Sequence, residues 1–220
     1  MLPLPRSFYE PSAAVVAPLL LGHWLIRNSP GGPCGGPIVE VEAYLAEDPA
    51  SHGFGGETKR NHAMYGPPGR AYVYLIYGFH FCVNAVCRPA GCAEALLIRA
   101  IEPEEGLEAM RQNRRAAASF ALTNGPGKLC AALAINRELD GVDLCDPSSP
   151  LYIARNPDLA RFRRRRAPLA ISPRVGITKA AALPLRFYLA GSPFISRPPR
   201  AGAAPSTGRS ARSTPARPKR

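Results

Sequence analysis

Residues 72–86, which read YVYLIYGFHFCVNAV, carry the strongest β-strand pattern of the chain and decide the fold around them. Aromatic and β-branched residues run on either side of Tyr77-Gly78, which predicts a β-hairpin with this pair at its tip. With an odd number of residues in the connecting loop, the apolar side chains all fall on one face, whereas an even number mixes the faces. The pattern therefore favours the odd register, which places on the opposite face Tyr72, Tyr74, Cys82 and Asn84.

Further strands and loops are predicted on both sides of this hairpin. Residues 38–44 alternate like a strand, and residues 95–100 and 186–189 are predicted strands as well. Residues 31–37 are rich in glycine and proline and predict a turn-rich loop, and residues 45–68 predict a long polar one. A loop of that length is uncommon unless it has a function.

Two helices are predicted after the central strands. Pro103, followed by early acids and late arginines, predicts a helix that ends near Arg115, in agreement with the helix dipole. A second helix is predicted from Gly127 to about Ile135. Its start offers free N–H groups and Lys128, which suit a phosphate, although an ordinary capped helix explains the same residues equally well.

The charge of the chain favours a polyanionic partner. The 220 residues suit one domain and carry a formal net charge of +12. Five arginines lie within residues 161–166, and residues 197–220 hold six arginines and one lysine without an acid. We predict a domain over residues 1–196 and a disordered tail, rich in proline, arginine and alanine, over residues 197–220. Solvated faces and tails are the alternative explanation of such arginine runs.

Cysteine usage and hydropathy narrow the class of protein. None of the six cysteines forms a C-x-x-C pair, and no histidine stands at zinc-finger spacing from them. No window approaches the ~18 consecutive apolar residues of a membrane span, and the start of the chain lacks the features of a signal peptide. We therefore expect a cytoplasmic protein with reduced thiols, without a metal and without a membrane partner.

A few residues suggest chemistry even when they are considered one at a time. Glu42 stands near the end of an apolar strand with Glu40 two positions earlier on the same face, and partial burial there would move a carboxylate pKa toward that of a working base. A solvated or arginine-paired acid is the ordinary alternative. Aromatic faces beside a basic surface suit an unstacked base, although ordinary packing also explains them. These faces belong to Tyr44, His52, Tyr74 and Tyr77.

Many motifs in one order resemble the alkyladenine (3-methyladenine) DNA glycosylase family, in particular its bacterial members. The resemblance covers roughly residues 15–196. The N-terminal helix lacks the family's usual basic residue, and the 161–166 arginine run and the tail have no counterpart that we can place. The matching stretches are residues 39–45, 52, 60–61, 68–69, 71–78, 81–84, 96–103, 105–111, 125–130, 174–177 and 184–188.

The resemblance implies a fold and an activity. The fold is α/β of the α+β type, a single mixed domain around a curved antiparallel sheet from which the hairpin protrudes. The activity is that of a monofunctional glycosylase, which flips alkylated or deaminated purines such as 3-methyladenine, hypoxanthine and ethenoadenine out of double-stranded DNA. Water then attacks the N-glycosidic bond. No cofactor is implied, and a monomer associated with the nucleoid is expected.

The resemblance also implies roles for single residues. Glu42 is similar to the general base that activates the water, and Arg99 and the backbone carbonyl of Val175 to the groups that hold it. Asn84 resembles the residue that crowds the amino group of normal guanine, and Tyr77 the wedge that fills the gap left in the duplex. The walls of the base pocket correspond to Tyr44, His52 and Tyr74. The candidates for contact with DNA phosphates are Gly127, Lys128 and Arg60.

Two other functions compete with this interpretation. A non-catalytic minor-groove binding protein explains the charge, the wedge and the aromatic residues. It does not explain why Glu42, His52 and Arg99 occur together. A bifunctional glycosylase and lyase needs an amine nucleophile for a Schiff base. None of the four lysines stands at a matched catalytic position, which favours a monofunctional enzyme; they are Lys59, Lys128, Lys179 and Lys219.

Overall fold

The computed structural model describes residues 1–115 and 119–197 of the chain. These residues form four α-helices and eight β-strands. In chain order they are α1 (Ala13–Leu20), β1 (Trp24–Ser29), β2 (Gly32–Tyr44), β3 (Ala71–Ile76), β4 (His80–Cys87), β5 (Glu94–Ile101), α2 (Leu107–Asn113), α3 (Pro126–Ala132), β6 (Leu151–Ala154), α4 (Leu159–Arg165), β7 (Leu169–Ser172) and β8 (Arg186–Leu189). Short 3₁₀ turns lie at Arg6–Tyr9, His62–Tyr65, Ser119–Ala121 and Arg137–Leu139.

All strands join one antiparallel sheet with β2 at its centre. The order is β3-β4-β5-β2-β1-β6, and β8 pairs with both β2 and β7. The first half of β2 pairs with β1, and its second half pairs with β5 and with β8. The single mixed domain around an antiparallel sheet is therefore confirmed. The C-terminal end of this central strand carries Glu42 and Tyr44.

The predicted hairpin and its register are confirmed. Ile76 pairs with His80, so that the loop holds three residues, of which the middle one is Gly78 at φ +77°. Tyr72 lies opposite Asn84 and Tyr74 opposite Cys82, as the odd register requires. These four side chains lie on the face of the hairpin that lines a pocket.

The other face of the hairpin belongs to the main hydrophobic core. Val73 and Val83 are fully buried there, together with Leu96 and Ile98 of β5. Helix α1 packs on β2, and α3 packs on β4 and β5, and both helices contribute buried side chains to this core. Because this face is buried against apolar side chains, the register between β3 and β4 is fixed. A slip by one residue would move every apolar side chain to the other face.

The prediction of a loop at residues 31–37 is wrong, since most of this segment forms the first half of β2. Its glycines permit close approach of backbones instead of a turn. A Cβ on Gly35 would lie 2.1 Å from the carbonyl oxygen of Leu25, and one on Gly36 would lie 1.7 Å from that of Glu102. Only a residue without a side chain fits between these neighbouring segments.

The helix predicted from Pro103 begins four residues later, at Leu107. The backbone N–H groups of Glu104 and Glu105 instead donate to the carbonyl of Gly35 at 3.0 and 3.1 Å. Gly106 then turns the chain at φ +70° before the helix starts. The second predicted helix is present as α3 and ends at Ala132, earlier than predicted. The strands at residues 95–100 and 186–189 are confirmed as β5 and β8, whereas β1, β6, β7 and α4 were not predicted.

The arginine run at residues 161–166 is partly structural. Arg163 donates to the carbonyls of Pro18, Leu19 and Leu21 at 3.2, 2.6 and 2.9 Å, and so caps the end of α1. Such a cation at the C-terminus of a helix complements its dipole. Arg166 forms an ion pair with Glu102 at 2.7 Å. Two of the five charges are therefore used inside the fold.

The predicted tail is mostly outside the described residues, since only Arg197 of it is described. Within the part that the structure covers, no helix is long and apolar enough to cross a membrane.

Candidate functional site

A cavity of about 390 Å³ opens between the hairpin, the end of β2 and the start of α3. Its volume lies in the range of ~300–1,000 Å³ that is typical of small-molecule sites. Nine of the eleven residues predicted for the site line it, whereas Glu42 and Arg60 do not. The nine are Tyr44, His52, Tyr74, Tyr77, Asn84, Arg99, Gly127, Lys128 and Val175.

Glu42 lies directly behind this lining and is fully buried. Its Oε1 accepts a hydrogen bond from the backbone N–H of Val175 at 2.7 Å. Its Oε2 accepts one from the hydroxyl of Tyr44 at 3.0 Å and lies 3.2 Å from Nη1 of Arg99. All three partners line the cavity. The carboxylate of Glu42 therefore lies just outside the lining and is held there by residues that belong to it.

Arg99 is oriented by a second buried carboxylate. Its Nε donates to Glu40 at 2.8 Å and its Nη2 to the hydroxyl of Ser196 at 3.0 Å. Burial opposes the ionisation of Glu40, but the guanidinium groups of Arg99 and Arg186 and the donors of Ser196 together hold the pKa of Glu40 below its ordinary value. Glu40 and Glu42 therefore share one face of β2, as predicted, and share Arg99.

The predicted walls of the pocket are brought together as an aromatic cluster. The rings of Tyr72 and Tyr74 are stacked with centroids 5.2 Å apart, and His52 stands edge-on to Tyr74 at 4.5 Å. Burial raises the pKa of Tyr72 to about 12 and raises that of Tyr74 and Tyr44 further. All three phenols are therefore neutral hydrogen-bonding groups at pH 7.

His52 is neutral at pH 7 for a related reason. Burial, and after it the charge of Arg60, lowers its pKa from the ordinary value. Its Nδ1 lies 2.9 Å from the hydroxyl of Tyr72, which fixes the ring against the hairpin. A neutral imidazole adds no positive charge to the aromatic walls.

Asn84 is buried on the floor of the cavity. Its side-chain amide donates to the carbonyl of Tyr72 at 2.9 Å, which fixes the direction of the amide group across the hairpin. Cys82 lies next to it in the lining, and burial raises the pKa of its thiol, which makes it an unreactive apolar group.

The hairpin tip is exposed. Tyr77 has 73% of its surface accessible and adopts φ +54°, a conformation that residues other than glycine rarely occupy. Phe79, the third residue of the loop, is 70% accessible. Two large aromatic side chains therefore project from the tip beside the mouth of the cavity.

The predicted phosphate contacts lie around the same mouth. Lys128 donates to the side chain of Asn124 at 2.9 Å, and Gly127 lies so close to His80 that a Cβ there would meet its ring at 2.9 Å. Arg60 is exposed, with its guanidinium 5.9 Å from the ring centre of Tyr74 and 3.2 Å from the carbonyl of Leu75. The roles of these three residues remain predictions.

A buried ion pair behind the pocket was not predicted from the sequence. Arg174 and Asp48 have almost no exposed side-chain surface and form a two-pronged contact. Arg174 belongs to a matched motif, but nothing in the spacing of two residues 126 positions apart indicates that they meet. Among the described residues, no group of histidine, cysteine or acidic side chains is arranged to hold a metal ion.

Comparison with known proteins gives one consistent result. The family model described as methylpurine-DNA glycosylase matches residues 7–193. A protein of Nitrosospira multiformis is 45% identical over 194 residues, which are 88% of this chain and 94% of that protein. A protein of Methanoculleus marisnigri is 47% identical over 194 residues, with 88% and 98% covered. A protein of Rhodopseudomonas palustris is 47% identical over 196 residues, with 89% and 91% covered. Each of the three bears the name "Putative 3-methyladenine DNA glycosylase".

Proposed function

The chain belongs to the methylpurine-DNA glycosylase family, and from this premise we propose that it flips damaged purines out of double-stranded DNA and hydrolyses their N-glycosidic bonds. The observation that carries the proposal is the position of Glu42. Its three partners Tyr44, Arg99 and Val175 all line a cavity that lies beneath an exposed aromatic tip.

Glu42 is proposed to be the general base. An ionised carboxylate has about four acceptor sites, and its three contacts among the described residues use three of them. Capacity for one more donor remains, and a water molecule is a donor of the right size. The Val175 carbonyl and Arg99 are proposed to hold this water. The N–H of Val175 and a guanidinium nitrogen of Arg99 contact the carboxylate, which supports this proposal.

The reaction is a single displacement at the anomeric carbon. The water oxygen forms a bond to C1′ of the sugar while the bond from C1′ to the base nitrogen breaks, and the base leaves with that electron pair. Glu42 takes a proton from the water. Alkylated purines are electron-poor and good leaving groups, so that the protein mainly supplies a positioned nucleophile.

The aromatic walls suit the damaged base. A cationic purine stacks on a tyrosine face with about 0.5–2 kcal/mol per contact, and the neutral phenols and the neutral His52 add no repulsive charge. Lesions without a charge, of the hypoxanthine and ethenoadenine type, gain the stacking alone. Asn84 is proposed to exclude guanine by crowding its amino group.

Tyr77 is proposed to act as the wedge. Extrusion of a base costs a few kcal/mol, least for damaged and badly paired bases, and leaves a gap in the stack. An aromatic ring at an exposed tip fills such a gap at little cost to the folded protein, because it has few contacts to lose.

Lyase activity is worth testing because Lys128, which carries an amine, is one of the residues that line the cavity. We propose that the enzyme is monofunctional and that Lys128 contacts phosphate. The amine is engaged with Asn124 at 2.9 Å and belongs to the start of α3, at the mouth with Tyr77.

A strand-cleavage assay tests these proposals together. Duplexes with one 3-methyladenine analogue, hypoxanthine or ethenoadenine are incubated with the protein and analysed with and without hot alkali. Breaks that need alkali support a monofunctional glycosylase, and breaks without alkali indicate a lyase. Selective binding without any break would identify a non-catalytic lesion-binding protein instead.

A further inference from the structure

Three separate walls of the cavity meet at one buried ion pair, Asp48–Arg174. The two side chains are 1% and 0% exposed, and both oxygens of Asp48 contact the terminal nitrogens of Arg174. The cavity itself is not lined by either residue. The pair therefore acts on a ligand only through what it holds in place.

On the Asp48 side, the pair organises the loop that carries His52. Oδ1 of Asp48 accepts a hydrogen bond from the backbone N–H of Ala50 at 3.0 Å, and its carbonyl accepts one from Ser51 at 2.8 Å. Ala50 and His52 both line the cavity. The position of this wall is thus tied to Asp48.

On the Arg174 side, the pair holds the end of β2 and the segment after β7. The guanidinium stands 4.6 Å from the ring centre of Tyr44 and donates to the carbonyl of Ala43 at 3.0 Å. The next residue in the chain, Val175, donates its N–H to Glu42 at 2.7 Å. The same side chain therefore supports a stacking wall from behind and fixes the donor that aims the carboxylate.

We propose that Asp48 and Arg174 are positioning residues of the glycosylase reaction, which set the distance between the base-stacking wall Tyr44, the His52 loop and the Glu42 carboxylate. This inference rests on the proposed function. A planar guanidinium can satisfy Asp48, Ala43 and the face of Tyr44 at once, which the single ammonium of a lysine cannot do. Displacement of reacting groups by about 1 Å costs as much as 10²-fold in rate.

The test uses the full chain with two kinds of variant. Arg174→Lys keeps the charge and loses the two-pronged geometry and the flat contact with Tyr44. The double variant Asp48→Asn with Arg174→Met removes both charges, so that no buried charge is left without its partner. Both are compared with the wild type in single-turnover excision of ethenoadenine at saturating enzyme, in binding to lesion and undamaged duplex, and in thermal melting.

The matched controls are Glu102→Gln and Arg166→Lys. They alter another buried carboxylate and its arginine, 2.7 Å apart, neither of which lines the cavity. Glu102 also accepts from Ser192 at 2.8 Å, so that this pair is tied into the fold in a comparable way. Loss of stability alone should therefore affect both pairs alike.

We expect the Arg174 variants to excise about 10–100-fold more slowly and to lose preference for lesion over undamaged DNA, with unchanged affinity for undamaged duplex. The controls should melt at similarly lowered temperatures and excise at the wild-type rate. Equal excision by Arg174→Lys and the wild type, or equal losses in both pairs, overturns the inference and leaves the proposed function standing. A wild-type protein that excises nothing while Glu42→Gln binds equally well overturns the function, and the inference with it.

Discussion

Glu40 and Glu42 stand two positions apart on β2 and both contact Arg99, but their surroundings differ. Glu40 also accepts hydrogen bonds from Arg186 and Ser196, neither of which lines the cavity. Every partner that Glu42 has among the described residues lines the cavity. At the scale of single residues, the first carboxylate therefore anchors Arg99 within the fold, and the second is the one whose contacts adjoin the cavity, which is why we propose it as the general base.

Glu42→Gln should lower single-turnover excision by at least the ~10²–10⁴-fold of general-base catalysis and leave selective binding intact. The glutamine oxygen can still accept from Val175, but its amide nitrogen would face Tyr44 and Arg99. We therefore also expect a loss of about 1–3 kcal/mol in unfolding free energy. Excision is measured below the melting temperature of the variant, beside a binding isotherm.

Glu102→Gln serves as the stability control for that experiment, because it neutralises a buried carboxylate away from the cavity. Excision by Glu42→Gln at the wild-type rate would show that another group activates the water. Parallel losses of rate in both variants would assign Glu42 a structural role only.

His23 should make stability depend on pH. It is buried at the turn between α1 and β1, where its Nδ1 accepts from the N–H of Asn156 at 3.3 Å. Burial, then the charges of Arg163 and Arg155, lowers its pKa to about 4, against an ordinary 6.5. His23 therefore takes up a proton near pH 6.5 in the unfolded chain but only near pH 4 in the folded chain. Stability is lost as the pH falls between these two values, because the unfolded state then binds more protons.

The size of this effect is about 2 kcal/mol after allowance for solvent screening. It is measured from urea unfolding at pH 7 and pH 5 for the wild type and His23→Gln, since the difference between the two proteins isolates this group from the carboxylates. Equal losses in both proteins would mean that His23 is protonated in the folded state.

At the scale of secondary-structure elements, the β3–β4 hairpin has two different faces and an exposed tip. One face is part of the main core, and the other carries Tyr72, Tyr74, Cys82 and Asn84 along the cavity. The core face packs with β5, which pairs with β4 over Asn84–Cys87, and the tip lies at the other end of the hairpin, beside the cavity mouth. A folded hairpin suits a wedge, because ordering a mobile segment on binding would cost free energy and lower the affinity.

Tyr77→Ala should weaken binding to lesion duplex by about 5–150-fold, which corresponds to the ~1–3 kcal/mol of a base–aromatic stack, and slow excision. The melting temperature should hardly change, since the ring is 73% exposed. Phe120→Ala, which truncates another exposed aromatic residue outside the hairpin, is the control. Unfolding of Tyr77→Ala, or unchanged binding, would contradict the wedge assignment.

At the scale of the whole molecule, the basic C-terminus is attached directly behind the catalytic candidates. Ser196 donates to Glu40 and accepts from Arg99, and the carbonyl of Arg197 accepts from Arg186 at 2.7 Å. Residues 198–220 carry five arginines and one lysine and no acid, and lie outside the described residues. Within the described residues, contacts with the sheet therefore extend as far as Arg197.

Removal of residues 198–220 should reduce DNA affinity at low salt and leave single-turnover excision at saturation nearly unchanged. Up to six phosphate contacts would be lost, so that the slope of log K against log salt should fall by at most about five. Removal of residues 196–220 also takes Ser196 away from Glu40 and Arg99, and excision should then fail. An unchanged salt slope in the shorter deletion would assign the extension another role.

The sequence by itself determined the hairpin, its register and the membership of most pocket residues. Strand patterns repeat every two residues, so that the alternation over residues 72–86 contains the register once one face must be buried. It could not reveal that residues 31–37 form a strand. There, glycine serves the close approach of Leu25 and Glu102, which are neighbours only in the folded chain.

Only the tertiary structure decided what each buried charge contacts. Arg174 lies 126 positions from Asp48, and Val175 lies 133 positions from Glu42, and no local pattern encodes such pairs. They meet because the sheet brings β8 and the segment after β7 alongside β2. A buried charge requires a partner, but the physical requirement does not say which one, and the path of the chain through the sheet makes that choice.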